Sequence, residues 1–259
     1  MTSVSADQRF AFDVQGYLHL QGALSQDEVC EYLSWIEAMT QIDIEPFKTD
    51  DPESRLHQMN QPVSRIFDVD IRFACFLDHP AVAPYLVECL GPDYRHIDND
   101  LLFSYPDYEG GQWHRGVREH PTGHVVDSQF ICPMIKVFYC VTDVEPDEGA
   151  FAVNPGSHKA QFPVEHQIEQ ANRVDMPGQH IFDTVKAGDI VLFNEALIHT
   201  GRPNPSSKIR KTIIVNFGRK DTGVWETYQP RAQTLQNVSP RRREILSNRD
   251  HTWDEPVLT

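Results

Sequence analysis

The stretch at residues 186–217, KAGDIVLFNEALIHTGRPNPSSKIRKTIIVNF, decides how the rest of the chain is read. Ala187-Gly188-Asp189 is a turn with the glycine that a positive φ needs, and residues 190–193 are an apolar run of strand length. Residues 212–217 form a second such run, rich in β-branched and aromatic side chains. Between the runs a turn carries His199, and Arg210 stands at the head of the second run. An imidazole and a guanidinium at strand ends put polar chemistry at the mouth of a β-rich core. A second imidazole, His114, lies far upstream in GGQWHRG, residues 110–116, where two glycines and an aromatic bring another strand to that mouth.

Outward from this stretch, further strands are expected at residues 96–105, 131–142, 151–153 and 183–185, separated by the turns Asp147-Glu148-Gly149 and Asn154-Pro155-Gly156. The N-terminal part reads differently. Residues 10–20 form a short helix or turn running into a strand, YLHL. Ser25 is a good N-cap, Glu28 completes a capping box, and Val29, Leu33 and Ile36 fall on one helical face. Residues 43–62 are polar and proline-rich, hence loop. Helical regions follow at 63–77 and, opened by Pro80 and closed by Gly91, at 81–90. A tail helix is expected at 241–246. One domain over residues 1–259 suits this length, with a helical part at about 25–92, a barrel core at about 93–220 and a C-terminal extension at 221–259.

Composition narrows the partners. A net charge of −15 disfavours nucleic acid and anionic membrane surfaces, which need a basic face. No apolar run approaches the roughly 18 residues of a membrane span. The start, MTSVSADQRF, lacks the pattern of a secretory signal, so a cytoplasmic protein acting on a small molecule is expected. Five cysteines without Cys-x-x-Cys spacing argue against a disulfide framework or structural zinc, and read as reduced core residues. Nothing in the sequence sets the oligomeric state.

The segments GYLHLQGALSQDEV (16–29), QWHRG (112–116), VTDVEPDEGAFAVNPGSHKAQFP (141–163) and residues 186–217 together resemble the phytanoyl-CoA dioxygenase-like branch of the Fe(II)/2-oxoglutarate oxygenases. The resemblance implies a mainly β fold with flanking helices, a double-stranded β-helix (jelly-roll, cupin-like) barrel. It implies Fe(II) held by His114 and His199, with 2-oxoglutarate chelating the metal and Arg210 gripping its far carboxylate through a planar, always-charged fork. Taken alone, either histidine would be an ordinary hydrogen-bonded or exposed imidazole, and Arg210 a surface arginine.

The departure is Gly116. Most of the family has an aspartate two residues after the first histidine, completing a two-histidine, one-carboxylate site. The halogenases of this superfamily carry Gly or Ala there, and chloride or bromide takes the vacant position. That similarity makes halogenation of an aliphatic carbon the favoured expectation, with Gly116 marking the halide position. Alternatives stand beside it: a hydroxylase or related dioxygenase in which water, Glu119 or Asp127 completes the site, or a non-catalytic cupin-like binding protein. Arg115, Arg118, His120 and His124 form a basic cluster beside the first histidine that either anchors a substrate carboxylate or phosphate or is a solvated loop. Asn204 and Ser206 either orient their turn or contact the cosubstrate, while His158 is expected at the rim or in a structural role.

Overall fold

The computed structural model describes residues 4–39, 60–116, 125–126, 129–130, 132, 134–160, 175–220 and 229–247. In chain order these form α1 (Ala6–Gln15), β1 (Tyr17–Leu20), α2 (Gln26–Met39), β2 (Asn60–Ser64), α3 (Ile66–Val69), a 3-10 helix (Ile71–Asp78) and α4 (Ala83–Leu90). Then come β3 (Arg95–Ser104), β4 (Val125–Val126), β5 (Gln129–Phe130), β6 (Met134–Cys140), β7 (Phe151–Asn154) and a 3-10 turn (Ser157–Lys159). The chain continues as β8 (His180–Phe182), β9 (Ile190–Asn194), β10 (Ile198–Gly201), β11 (Arg210–Gly218), α5 (Ala232–Asn237) and α6 (Pro240–Ser247).

Two antiparallel sheets carry the fold. The larger has the order β1-β9-β6-β11-β3-β2, the smaller β10-β7-β8. Consecutive residues of a strand point to opposite faces, and in the large sheet both faces are covered. Ile135, Val137 and Tyr139 of β6, Leu192 of β9 and Ile213, Val215 and Phe217 of β11 pack outward with Val29, Ile36, Phe73, Phe76 and Leu86 from the helical layer. Their neighbours Phe138, Val191, Phe193 and Ile214 pack inward with Phe151, Val153 and Phe182 of the smaller sheet. Burial on both faces is why these strands read as continuous apolar runs rather than alternating ones. The architecture is the expected jelly-roll, with helices on its outer face.

Several local expectations change. Residues 63–77 are not one helix. Val63 belongs to β2, Arg65 takes a left-handed φ of 62° and Asp70 is extended, which leaves only the single turn of α3 and a 3-10 segment. Of the proline-rich stretch, residues 43–59 lie outside the described residues. Asn60, Gln61 and Pro62 pair with β3 as the sheet's edge strand, the place where a residue without an N–H is tolerated. The strand expected at 183–185 is β8, three residues earlier, and Val185 makes only an isolated bridge to Val144. The segment bearing His199 is itself a strand, β10, and α5 had no sequence signal. Cys30 is exposed on α2 rather than in the core; all five thiols are free.

The capping box forms as expected. The Glu28 backbone N–H donates to Ser25 Oγ at 3.2 Å, and the Glu28 carboxylate accepts the Ser25 backbone N–H at 2.7 Å. Because α2 lays Val29, Tyr32 and Ile36 on the outer face of the large sheet, loss of its cap is felt globally. Ser25→Ala is expected to cost about 1 kcal/mol, measured as a lower midpoint in urea unfolding with an unchanged m-value.

Candidate metal and cosubstrate site

A backbone seam assembles the site. Residues 111–116 run antiparallel to 195–201. Gly111 donates its N–H to Gly201 O at 2.8 Å, His114 and His199 exchange bonds at 3.0 and 2.9 Å, and Gly116 donates to Glu195 O at 3.0 Å. Residues directly opposite in an antiparallel pair share a face, so the two imidazoles meet, with ring centroids 4.3 Å apart.

Both rings are tethered alike. Nδ1 of His114 lies 2.8 Å from the Gln112 carbonyl, and Nδ1 of His199 lies 2.8 Å from the Leu197 carbonyl. A carbonyl can only accept, so each Nδ1 carries the proton and each Nε2 presents a lone pair. That is how metal-binding imidazoles are commonly oriented from behind. Phe193 and Phe151 pack against the His199 ring at 4.9 and 5.7 Å. Desolvation, aided by the Lys136 charge, pushes the His199 pKa down to about 3. His114 is pushed the same way, by desolvation first and by His199 second, although this residue keeps an open edge to solvent. Both rings are therefore neutral near pH 7, the form that ligation requires.

The turn at residues 155–159, PGSHK, holds this seam in place. Ser157 Oγ accepts the Ile198 N–H at 2.8 Å where β10 begins, and the Ser157 carbonyl accepts from Arg115 Nη2 at 2.8 Å. His158 is buried, lies 3.1 Å from the Asp13 carbonyl at the end of α1, and is structural. Gly16 must lack a side chain here: its φ is +84°, and a Cβ would come within 2.5 Å of the His158 ring.

Next to the imidazoles stands a carboxylate that the sequence reading passed over. Glu195 is fully buried, Oε1 pairs with Lys136 Nζ at 2.6 Å, and Oε2 lies 4.0 Å from His199 Nε2. It fills the space beside Gly116, where a Cβ would stand 2.3 Å from Glu195 Oε1. Desolvation raises the Glu195 pKa against the pull of Lys136. Lys136 also feels desolvation, but Glu195 and Asp98 outweigh it and hold the ammonium above its usual range. Asp98 accepts from Asn216 Nδ2 at 2.6 Å; burial and Asp100 keep its pKa well above the ordinary value. Among the described residues, no three His, Cys, Asp or Glu side chains are already drawn in to metal-holding distance.

Arg210 opens β11, opposite Ser104 of β3, and is buried. Its Nη1 donates to the Gly149 carbonyl while Nε has no partner, and none of the described carboxylates pairs with it. Burial pushes its pKa down; only Cys140 and Tyr108 act in the other direction, and desolvation keeps both of these protonated by pushing each up to about 12. A guanidinium stays charged in such a place, and a buried cation without a counter-ion costs several kcal/mol. Such a cation suits an anionic ligand. Asn204 shapes the turn that delivers Arg210, donating to the Ser104, Tyr105 and Lys208 carbonyls and accepting from Ser206.

The phytanoyl-CoA dioxygenase (PhyH) family matches residues 12–212. The chain belongs to that family. Among solved structures this PhyH chain is similar to HygX from Streptomyces hygroscopicus with nickel and 2-oxoglutarate bound: 22% identity over 86% of this chain and 91% of that one, TM-score 0.70. It is also similar to the non-haem α-ketoglutarate-dependent carbocyclase SnoK from nogalamycin biosynthesis, with 20% identity, coverage of 92% and 94% and a TM-score of 0.67. The epimerase SnoN of the same biosynthesis matches at 15% identity, 82% and 79% coverage and a TM-score of 0.61. At these identities the likeness shows the shared fold. A comparison with curated protein sequences finds no match.

Of the residues singled out in the sequence, His114, His199 and Gly116 come together. Arg210 lies at the head of β11. Arg115 is engaged with the PGSHK turn. Arg118, His120 and His124, like the substitute ligands Glu119 and Asp127, lie outside the described residues. Glu195 and Lys136 were missed. The available signal was a carboxylate four residues before His199, at the end of an otherwise apolar strand.

The neutral imidazoles, His199 buried and His114 open to solvent at one edge, carry a pH signature. Their folded-state pKa values lie below the unfolded value of about 6.5, so the unfolded chain takes up protons first as the pH falls. The unfolding free energy of the metal-free protein is expected to decrease progressively from about pH 6.5 toward pH 3. His199→Gln should flatten this slope in urea titrations across that range.

Proposed function

We infer that this chain is a non-haem iron(II)- and 2-oxoglutarate-dependent oxidoreductase that activates an aliphatic C–H bond of a small molecule. The observation that carries this reading is the His114–His199 pair, with both Nδ1 atoms tied to backbone carbonyls and both Nε2 atoms left as donors. The donor set suits the metal, since imidazole binds iron well. The buried, unpaired Arg210 suits a dicarboxylate cosubstrate, and the HygX structure with nickel and 2-oxoglutarate supports the pairing by analogy. In a related structure HygX also holds hygromycin B, which supports a small-molecule substrate.

When bound, iron and 2-oxoglutarate with oxygen supply an oxidant able to take hydrogen from an unactivated carbon. The chain's own part is placement. His114 and His199 hold the metal and, being neutral, need release no proton to bind it. Arg210 receives the far carboxylate of 2-oxoglutarate with charge-assisted hydrogen bonds. Phe138, Phe151 and Phe193 wall the interior between the sheets and exclude water from the reacting end. The five free thiols suit a reducing, cytoplasmic setting.

The outcome at the substrate carbon favours oxidation over halogenation. A halide in place of the usual aspartate needs open space beside Gly116, and the Glu195 carboxylate stands there, itself negative when ionised. Halogenation remains the second reading, on the single observation that residue 116 has no side chain.

Three results check this. With Fe(II), 2-oxoglutarate and oxygen, the protein is expected to release succinate, and His199→Ala to lose Fe(II) binding in anaerobic titration; a non-catalytic binding protein would release none. Arg210→Met removes hydrogen bonds to a charged group worth roughly 1.5–3 kcal/mol each, so 2-oxoglutarate affinity should fall by about 10- to 100-fold. Products formed from a metabolite pool in excess chloride or bromide are expected to show oxidation without a halogen isotope pattern; halogenated products would establish the second reading.

A further inference from the structure

The geometry points to Glu195 as the carboxylate that completes the metal site, supplied from the β9–β10 connection in place of the aspartate that Gly116 lacks. This rests on the iron reading above. Four observations converge on it. Gly116 and Glu195 are tied backbone to backbone, N–H to carbonyl at 3.0 Å, so the two positions are held in contact at the end of the seam. The Glu195 side chain turns into the volume that any residue-116 side chain would occupy: Cβ at Gly116 would meet Oε1 at 2.3 Å, Cγ at 2.5 Å and Cδ at 2.6 Å. Both carboxylate oxygens are fully buried without a hydrogen-bond partner, and Oε2 lies 4.0 Å from His199 Nε2. Finally, Lys136 holds Oε1 at 2.6 Å, anchoring the carboxylate from behind while Oε2 is left for another partner.

The arrangement explains Gly116 without a halide. An aspartate there and a glutamate at 195 would compete for one volume and bring two negative charges into it. Glycine at one position and carboxylate at the other is a relocation of the same donor. Metal donors on adjacent positions at bond lengths near 2.1 Å stand about 3 Å apart, so Oε2 has to move toward the imidazoles by about 1 Å. A glutamate has the torsions to do so while Lys136 follows on its flexible stem.

A buried glutamate serving only as the partner of Lys136 is the competing account, and the test separates them. Anaerobic titrations with Fe(II), and with Co(II) whose visible spectrum reports its donor set, are run on the native protein, Glu195→Gln and the double variant Gly116→Asp/Glu195→Ala. Loss of an outer-shell partner costs about 10- to 100-fold in metal affinity. Glu195→Gln should reach or exceed the upper end of that range and make the Co(II) spectrum sensitive to chloride, which leaves the native spectrum unchanged. The double variant returns a carboxylate to the conventional position and should recover affinity to within about tenfold of native. If Glu195→Gln does not fold, the chloride response of the native protein and the recovery in the double variant decide alone. Native-like Fe(II) affinity and spectrum in Glu195→Gln, no recovery in the double variant, or a native spectrum that shifts with chloride would each overturn the assignment. Absence of metal binding in the native protein would overturn the iron reading itself, a distinct result.

Discussion

The antiparallel seam between residues 111–116 and 195–201 is the constraint on which the site depends. Its hydrogen bonds fix two chain segments that are remote in sequence, and side-chain placement follows from the pairing alone. With His114 opposite His199, both imidazoles project from one face. Where the seam ends, the Gly116 N–H donates to the Glu195 carbonyl, and the Glu195 side chain fills the volume that Gly116 leaves. A slip of one residue would turn each imidazole to the opposite face, so the seam is itself braced: by Ser157 at the start of β10, by Arg115 reaching back to the same turn, and by Thr200 Oγ1 donating to the Gly111 carbonyl at 2.8 Å.

Around this seam the protein keeps charges where burial is expensive. Arg210, Lys136, Glu195 and Asp98 all sit in the interior between sheets otherwise filled by phenylalanine and branched aliphatic side chains. Buried ionic groups are poor sources of stability, because desolvation takes back most of what their attraction returns. Their presence on β3, β6, β11 and the β9–β10 connection therefore reads as function. Lys136 is shared among several carboxylates, whereas Arg210 has none among the described residues. That asymmetry separates the two ends of the interior: at one a cation stands beside a carboxylate, at the other a cation stands without one among the described residues. In a chain of net charge −15 an anion gains nothing from the overall field, so any anion bound here would depend on this local cation.

Much of this was legible beforehand. The doubly buried strands β6, β9 and β11 announce themselves as apolar runs, the Ser25–Glu28 box opens α2, and the PGSHK and HTGRPN turns bring the family with them. What went unread has physical reasons. β10 is short and carries polar residues, so its strand character comes from pairing with β7 and not from propensity. The 63–77 stretch has helical composition, but Arg65 in the left-handed region and an extended Asp70 divide it. Glu195 was hidden by its context: a lone acidic residue after an apolar strand is ordinarily a solvated turn residue, and nothing local says that it points inward.

By itself, the sequence determined the layer architecture and the strand ends and turns that carry His114, Gly116, His199 and Arg210, because strand periodicity, turn chemistry and motif spacing are local properties of the chain. Only the tertiary structure decided what stands beside Gly116. Gly116 and Glu195 meet through backbone pairing between distant segments, and the burial that gives a carboxylate its partner, its altered pKa and its direction exists only once both sheets and the seam have formed.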